Sequence, residues 1–314
     1  MDMQLDDTQQ AIHDSCARLF ERRAGPGRAR ELRRAGDFDR LLLTDMEQGG
    51  FLDLFGEPEA GPLAAALVTE WTAQAAGLAP VGARTLVAPS VIAGELPLVI
   101  AVADQHALGA VRYGAEADML IVLDGDAARV APRGEFSAET VRSKFGYPMA
   151  SISVPGGETL APGAGAVARR WWRIAIAAEI AGAARAAVDL TIRYMRDRSQ
   201  FDRPIATYQA LQHRIVECHV AVDAAQWTMR EAAHHGAPAG LAAGAAITAS
   251  EAARRVFFET HQLTGAMGFT TEYDLHLFTM RLQTLRLEMQ GMRAHARDLV
   301  AARWPVRELS ERNA

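Results

Sequence analysis

The sequence predicts a mainly α protein with a small β-domain. Three observations carry this. Apolar residues recur at helical spacing from Leu5 to Ile92. Between Leu96 and Val154 the pattern changes to short runs of β-type residues. From Gly165 to Trp304 four long amphipathic runs follow one another with short links, the pattern of an up-down bundle. The expected parts are an N-terminal helical domain over 1–94, a reduced middle β-domain over 95–160 and a C-terminal four-helix bundle over 161–314.

At 314 residues with 49% apolar content the chain can bury a sizeable core. A net charge of -5 gives no electrostatic case for nucleic acid or an anionic membrane surface. The acidic start, Met1-Asp2-Met3-Gln4-Leu5-Asp6-Asp7, is unlike a signal peptide, and no uninterrupted apolar stretch is long enough to span a bilayer. Cys16 and Cys218 suggest neither a disulfide framework nor zinc spacing, so a reduced, cytoplasmic setting is expected.

In chain order, Thr8 is expected to cap a first helix through Ile12, Cys16, Leu19 and Phe20, ended by Gly25-Pro26-Gly27. Phe38, Leu41, Leu42 and Met46 form a second apolar face, closed by Gly49-Gly50, and residues 63–76 a third helix. Leu98-Val99-Ile100-Ala101-Val102 and Met119-Leu120-Ile121-Val122-Leu123 read as strands. Asp124-Gly125-Asp126 is a hairpin turn leading into Ala128-Arg129-Val130, with further strands at Val141 and Ser151-Ile152-Ser153-Val154. The bundle helices are expected at 169–195, 208–235, 241–264 and 275–302, the first rich in alanine on nearly every face and therefore buried.

The link between the first two bundle helices concentrates the chemistry: Arg198-Ser199-Gln200-Phe201-Asp202-Arg203-Pro204-Ile205-Ala206-Thr207-Tyr208-Gln209. Pro204 breaks the helical pattern. The second helix then opens with free amides that can meet an anion, beside a guanidinium that can fork onto phosphate oxygens. Phe201 and Tyr208 offer flat faces to a base or ring. The combination suits the diphosphate and adenine of a dinucleotide. A helix corner with a surface arginine is the plain alternative.

This stretch resembles the acyl-CoA dehydrogenase signature R-x-Q-F-G-x-P-I-x-x-x-Q. A second stretch, His261-Gln262-Leu263-Thr264-Gly265-Ala266-Met267-Gly268-Phe269-Thr270 with Glu272 to Leu277, resembles the family's Q-x-x-G-G-x-G-[FY]-[ST]-x-E, in the expected order and separation. The resemblance implies FAD as cofactor and contacts to its ADP half from Arg198, Phe201, Ile205, Tyr208, Gln209, Gln262, Gly265 and Ala266. In the family such contacts reach the cofactor of a neighbouring subunit. Two departures stand out. Asp202 replaces the motif glycine, adding a carboxylate that Arg203 would have to neutralise near a diphosphate, and Ala266 replaces the second glycine of the pair.

The resemblance also implies α,β-desaturation of an acyl-CoA, with a carboxylate taking the α-proton. The family places that carboxylate at one of two positions, which fall here on Trp172 and Met289. Neither is acidic. Glu288 is one residue from the second, which on a continuous helix rotates the side chain by roughly 100°, and Glu179 lies two turns along from Trp172. The family's T-E-P-x-x-G-S-D-like loop and its aromatic-Thr-rich stretch, which cradle the flavin ring, are absent. The pattern resembles the short subunit of heteromeric bacterial acyl-CoA dehydrogenases. This implies a longer catalytic homologue as partner in an α2β2 tetramer and a bulky, steroid-derived acyl-CoA as substrate. An acceptor of the electron-transfer flavoprotein type is compatible with it. The alternatives are a self-sufficient homotetramer using Glu288 as base, or a flavin-free structural homologue. No metal site is expected.

Overall fold

A computed structural model of the chain describes residues 5–154 and 156–304. Met1–Gln4, part of the acidic start read above, lie outside it. The N-terminal part is helical. α1 (Asp7–Arg23) is capped by Asp6 rather than Thr8, because Asp6 and Gln9 form a reciprocal capping box. Gly25-Pro26-Gly27 ends α1 and also opens α2 (Pro26–Ala35), since proline is pre-set for a first helical position. α3 (Arg40–Gln48) starts where the Asp39 carboxylate accepts the Leu42 amide. α4 (Gly61–Gln74) is buried along most of its length.

The β part forms two small sheets. β1 (Ile100–Asp104) lies parallel to β3 (Met119–Asp124), which turns through Gly125-Asp126 into antiparallel β4 (Ala127–Pro132), and β7 (Glu158–Thr159) adds an edge. The second sheet has the order β2 (Val111–Arg112), β6 (Met149–Ser153), β5 (Ser137–Val141), all antiparallel. A small apolar cluster, including Ala103, Val111, Leu120, Phe136 and Ile152, joins the two.

The bundle is built on α5 (Ala164–Asp197), which packs against α4, α6 (Gln209–His234), α7 (Ala239–Thr264) and α8 (Leu275–Leu285). Its small residues make this possible. A Cβ at Gly182 would sit 2.0 Å from the Glu70 carbonyl oxygen on α4. One apolar core runs from Cys16 on α1 through the bundle to Met289. The expected fourth helix over 275–302 is not continuous. It breaks after α8, passes through Glu288–Gln290, and resumes as α9 (Gly291–Arg303). Met289 and Gln290 have φ of 53° and 66°, and a right-handed helix cannot be propagated through two such residues. No helix among the described residues is long and apolar enough to cross a membrane.

Candidate functional site

Two outward-facing turns carry the motif residues. In the first, the link between α5 and α6 is a small hairpin, β8 (Ser199–Gln200) against β9 (Arg203–Pro204). Its two central residues, Phe201 and Asp202, have φ of 53° and 64°, which a type I′ turn demands. Asp202 is thus in the conformation that suits the motif glycine, and aspartate is among the residues that tolerate it. Phe201 is 86% exposed at the tip. Arg198, also exposed, ends α5 in an extended conformation, and its carbonyl accepts the Ile205 amide at 2.8 Å. The Arg203 guanidinium lies over the half-buried Tyr208 ring at 4.2 Å, and the Tyr208 hydroxyl donates to the Gln200 carbonyl at 3.0 Å. Ile205 is half-buried against the core. Gln209 opens α6, and no side chain caps that end.

The second turn follows α7. Gln262, Gly265 and Ala266 are exposed. Gly265 has φ 58° and ψ -140°, a region essentially reserved for glycine. A Cβ at Gly268 would meet the Thr264 hydroxyl at 2.1 Å. Beneath the turn His261 is buried, with Nε2 at 3.1 Å from the Thr279 hydroxyl, and burial holds its imidazole below the usual pKa. Phe269 stands 4.7 Å from the His261 ring and is 74% exposed.

Away from both turns, a cavity of about 760 Å³ lies between β1, β2 and the α8–α9 break. Trp172, Glu288 and Met289 all line it, so the two expected base positions converge on one space. None of the eight motif residues lines it. The break, not a register shift, brings Glu288 there: the rotation argument presumed a continuous helix.

Sequence reasoning missed Arg112. It lies on β2, a two-residue strand too short to show periodicity. Its Nε donates to Glu288, and its Nη1 donates to Glu179 at 2.7 Å. The Tyr147 hydroxyl donates to the same Glu179 oxygen at 3.2 Å, and the Tyr147 ring lies 4.8 Å from the guanidinium. Burial raises the Glu288 carboxyl above its ordinary pKa. Arg112 opposes this, and the neighbouring Glu179 charge reinforces it. Burial likewise pushes the Tyr147 hydroxyl well up. Among the described residues no group of three His, Cys, Asp or Glu side chains is placed to hold a metal ion.

Residues 170–304 match the acyl-CoA dehydrogenase C-terminal domain, which sets the bundle among oxidoreductases that act on acyl-CoA thioesters. The chain is 30% identical to acyl-CoA dehydrogenase IpdE2 of Mycobacterium tuberculosis, over 94% of this chain and 97% of that protein. It therefore belongs to the acyl-CoA dehydrogenase family, whose cofactor is FAD. The fold is similar to that in the crystal structure of the ChsE4-ChsE5 complex from Mycobacterium tuberculosis, with a TM-score of 0.82 and 19% identity over 98% of this chain and 100% of that one. It is also similar to the Tcur3481-Tcur3483 steroid ACAD, with a TM-score of 0.80 and 19% identity over 95% and 98%.

Proposed function

We propose that this chain is one subunit of a heteromeric FAD-dependent acyl-CoA dehydrogenase and that it clasps the ADP half of a cofactor whose reactive half lies in a longer catalytic homologue. The observation that carries this is one of placement: the tips of the motif turns are exposed, and none of the motif residues lines the cavity. The residues of the turns fit an ADP group. Arg198 can fork onto the diphosphate, the uncapped end of α6 presents amides to it, and Phe201 offers a ring face to adenine. Gln209, Gln262, Gly265 and Ala266 add polar and close backbone contacts, with Ile205 and Tyr208 shaping the base of the hairpin. The cavity wall beside Trp172 does not fit an isoalloxazine ring, because it carries Arg112 paired with Glu288 and, behind it, with Glu179.

When bound in the assembly, FAD would supply the acceptor for the hydride leaving Cβ. This chain's part is to hold the cofactor's tail and to complete the partner's site. The names of the structurally similar ChsE4-ChsE5 complex and Tcur3481-Tcur3483 steroid ACAD support a partner subunit and a steroid-derived, bulky acyl-CoA, to which we add an α2β2 arrangement. A cytoplasmic setting with an electron-transfer flavoprotein-type acceptor completes the reading.

The test is to co-purify the chain with a longer acyl-CoA dehydrogenase homologue sought next to its gene and to measure bound flavin. Arg198→Ala in this chain should weaken FAD retention by roughly 10- to 100-fold, the worth of a charge-assisted hydrogen bond. Unchanged occupancy would overturn the reading and favour a flavin-free structural subunit. A second reading, a self-sufficient homotetramer, is favoured by one observation: Glu288 lines the cavity. Full activity and full flavin content in the lone chain, abolished by Glu288→Gln, would establish it instead.

A further inference from the structure

We infer that Arg112 bars a flavin ring from the part of this chain's own cavity beside Trp172, by standing there as a buried cation and by pairing with Glu288, the carboxylate next to the expected base position at Met289. The inference rests on the proposed function above and on the meeting of the two expected base positions, Trp172 and Met289, in this cavity. Three elements meet at the guanidinium: β2 supplies it, α5 supplies Glu179 and the α8–α9 break supplies Glu288. All three side chains are largely buried. Nε takes Glu288, while Nη1 and Nη2 take the two Glu179 oxygens at 2.7 and 3.4 Å. Tyr147 covers one face.

Position makes this cluster a partition. Arg112 borders the main cavity of about 760 Å³ and also a separate hollow of about 20 Å³, lined by Tyr113, Trp172, Ala175 and Glu179. Arg112, Val102 and Trp172 line both spaces, with Glu288 on the larger and Glu179 on the smaller, so the doubly paired guanidinium stands between them beside Trp172. A planar ring entering there would have to displace a buried, doubly paired cation. A base at Glu288 would have to give up a charge-assisted hydrogen bond in order to turn toward a ligand. On the reading above, the turns that would hold a nucleotide tail keep Arg198, Phe201, Gln209, Gln262 and Gly265, so this obstacle belongs to the ring end.

The experiment compares wild type with Arg112→Met and Arg112→Lys, each as the full chain purified without a partner. Lysine keeps the charge but not the fork, so it guards against loss of folding in the methionine variant. Each protein is incubated with FAD and gel-filtered, flavin absorbance per chain is read, and total tryptophan fluorescence is followed during titration, with Trp172→Phe versions as the reference. Wild type should retain little flavin. Arg112→Met should retain roughly tenfold more or better and show tryptophan quenching that its Trp172→Phe version lacks, with Arg112→Lys between them. Full flavin retention by wild type, or no gain in either folded variant, would overturn the inference. Because Arg198→Ala in the mixed complex is read separately, failure at Arg112 leaves the tail-clasp reading standing, and failure at Arg198 does not depend on Arg112.

Discussion

At the scale of single residues, His295 gives the sharpest pH dependence. It is buried on α9, and its Nδ1 has no hydrogen-bond partner among the described residues. Burial lowers its pKa from 6.5 to about 4, Arg173 adds to the lowering and Asp298 opposes it. Above pH 6.5 the imidazole is neutral in both states and costs nothing. As pH falls from 6.5 towards 4, the unfolded chain takes up a proton that the folded chain refuses, so stability falls, and the loss saturates below about 4. A shift of this size corresponds to about 3 kcal/mol. Glu70 and Glu288 act with the opposite sign. Their folded-state pKa values are raised, so their contribution is fully present below the unfolded value and is lost as pH rises through the folded one. Comparing wild type with His295→Gln by urea denaturation between pH 4 and 7 isolates the histidine, and the variant should lose less stability on acidification.

At the scale of elements, two backbone constraints can be tested. Gly182 lets α5 touch α4 through main chain, and an added methyl would meet the Glu70 carbonyl at 2.0 Å. Because backbone, not a flexible side chain, stands in the way, Gly182→Ala should destabilise the chain by about 1–3 kcal/mol or more in chemical denaturation. Asp202→Gly should act in the other direction. It relieves a left-handed residue at an exposed hairpin tip, stabilising by up to about 1 kcal/mol, and removes a carboxylate near the proposed diphosphate, so FAD retention in the mixed complex should rise. The same elements show what could be read from the sequence. Pro204 and the aromatic residues around it marked the link between α5 and α6, and Asp124-Gly125-Asp126 marked the β3–β4 hairpin. The break after α8 was not legible, because its left-handed residues are methionine and glutamine, neither of which signals a turn. α2 was hidden because Gly25-Pro26-Gly27 reads as an ending and serves equally as a start. Arg112 was hidden for a different reason: its partners lie 67 and 176 residues away, beyond the reach of any local pattern.

At the scale of the whole molecule, the N-terminal helices and the bundle share one core, and a buried ionic group joins them. Glu70 on α4 is 1% exposed, and Arg230 on α6 donates to both its oxygens, with Nη2 at 3.0 Å from Oε1 and Nε at 3.3 Å from Oε2. Gln226 on α6 donates to the same carboxylate. Burying this pair brings little net stability, but removing one member leaves the other charged and unpaired inside the protein. Glu70→Ala should therefore cost about 3–5 kcal/mol, while the double variant Glu70→Leu/Arg230→Met should recover most of that loss. A continuous core further requires the helical parts to unfold together. Far-ultraviolet circular dichroism, which follows the helices, and tryptophan fluorescence, which follows Trp71 on α4 together with Trp171 and Trp172 on α5, Trp227 on α6 and Trp304, should give coincident transitions in wild type. If Glu70→Ala splits them, with the Trp71 region melting first, the ion pair couples the N-terminal helices to the bundle. If the transitions stay coincident and the double variant is no more stable than the single, the apolar core alone holds the two parts together.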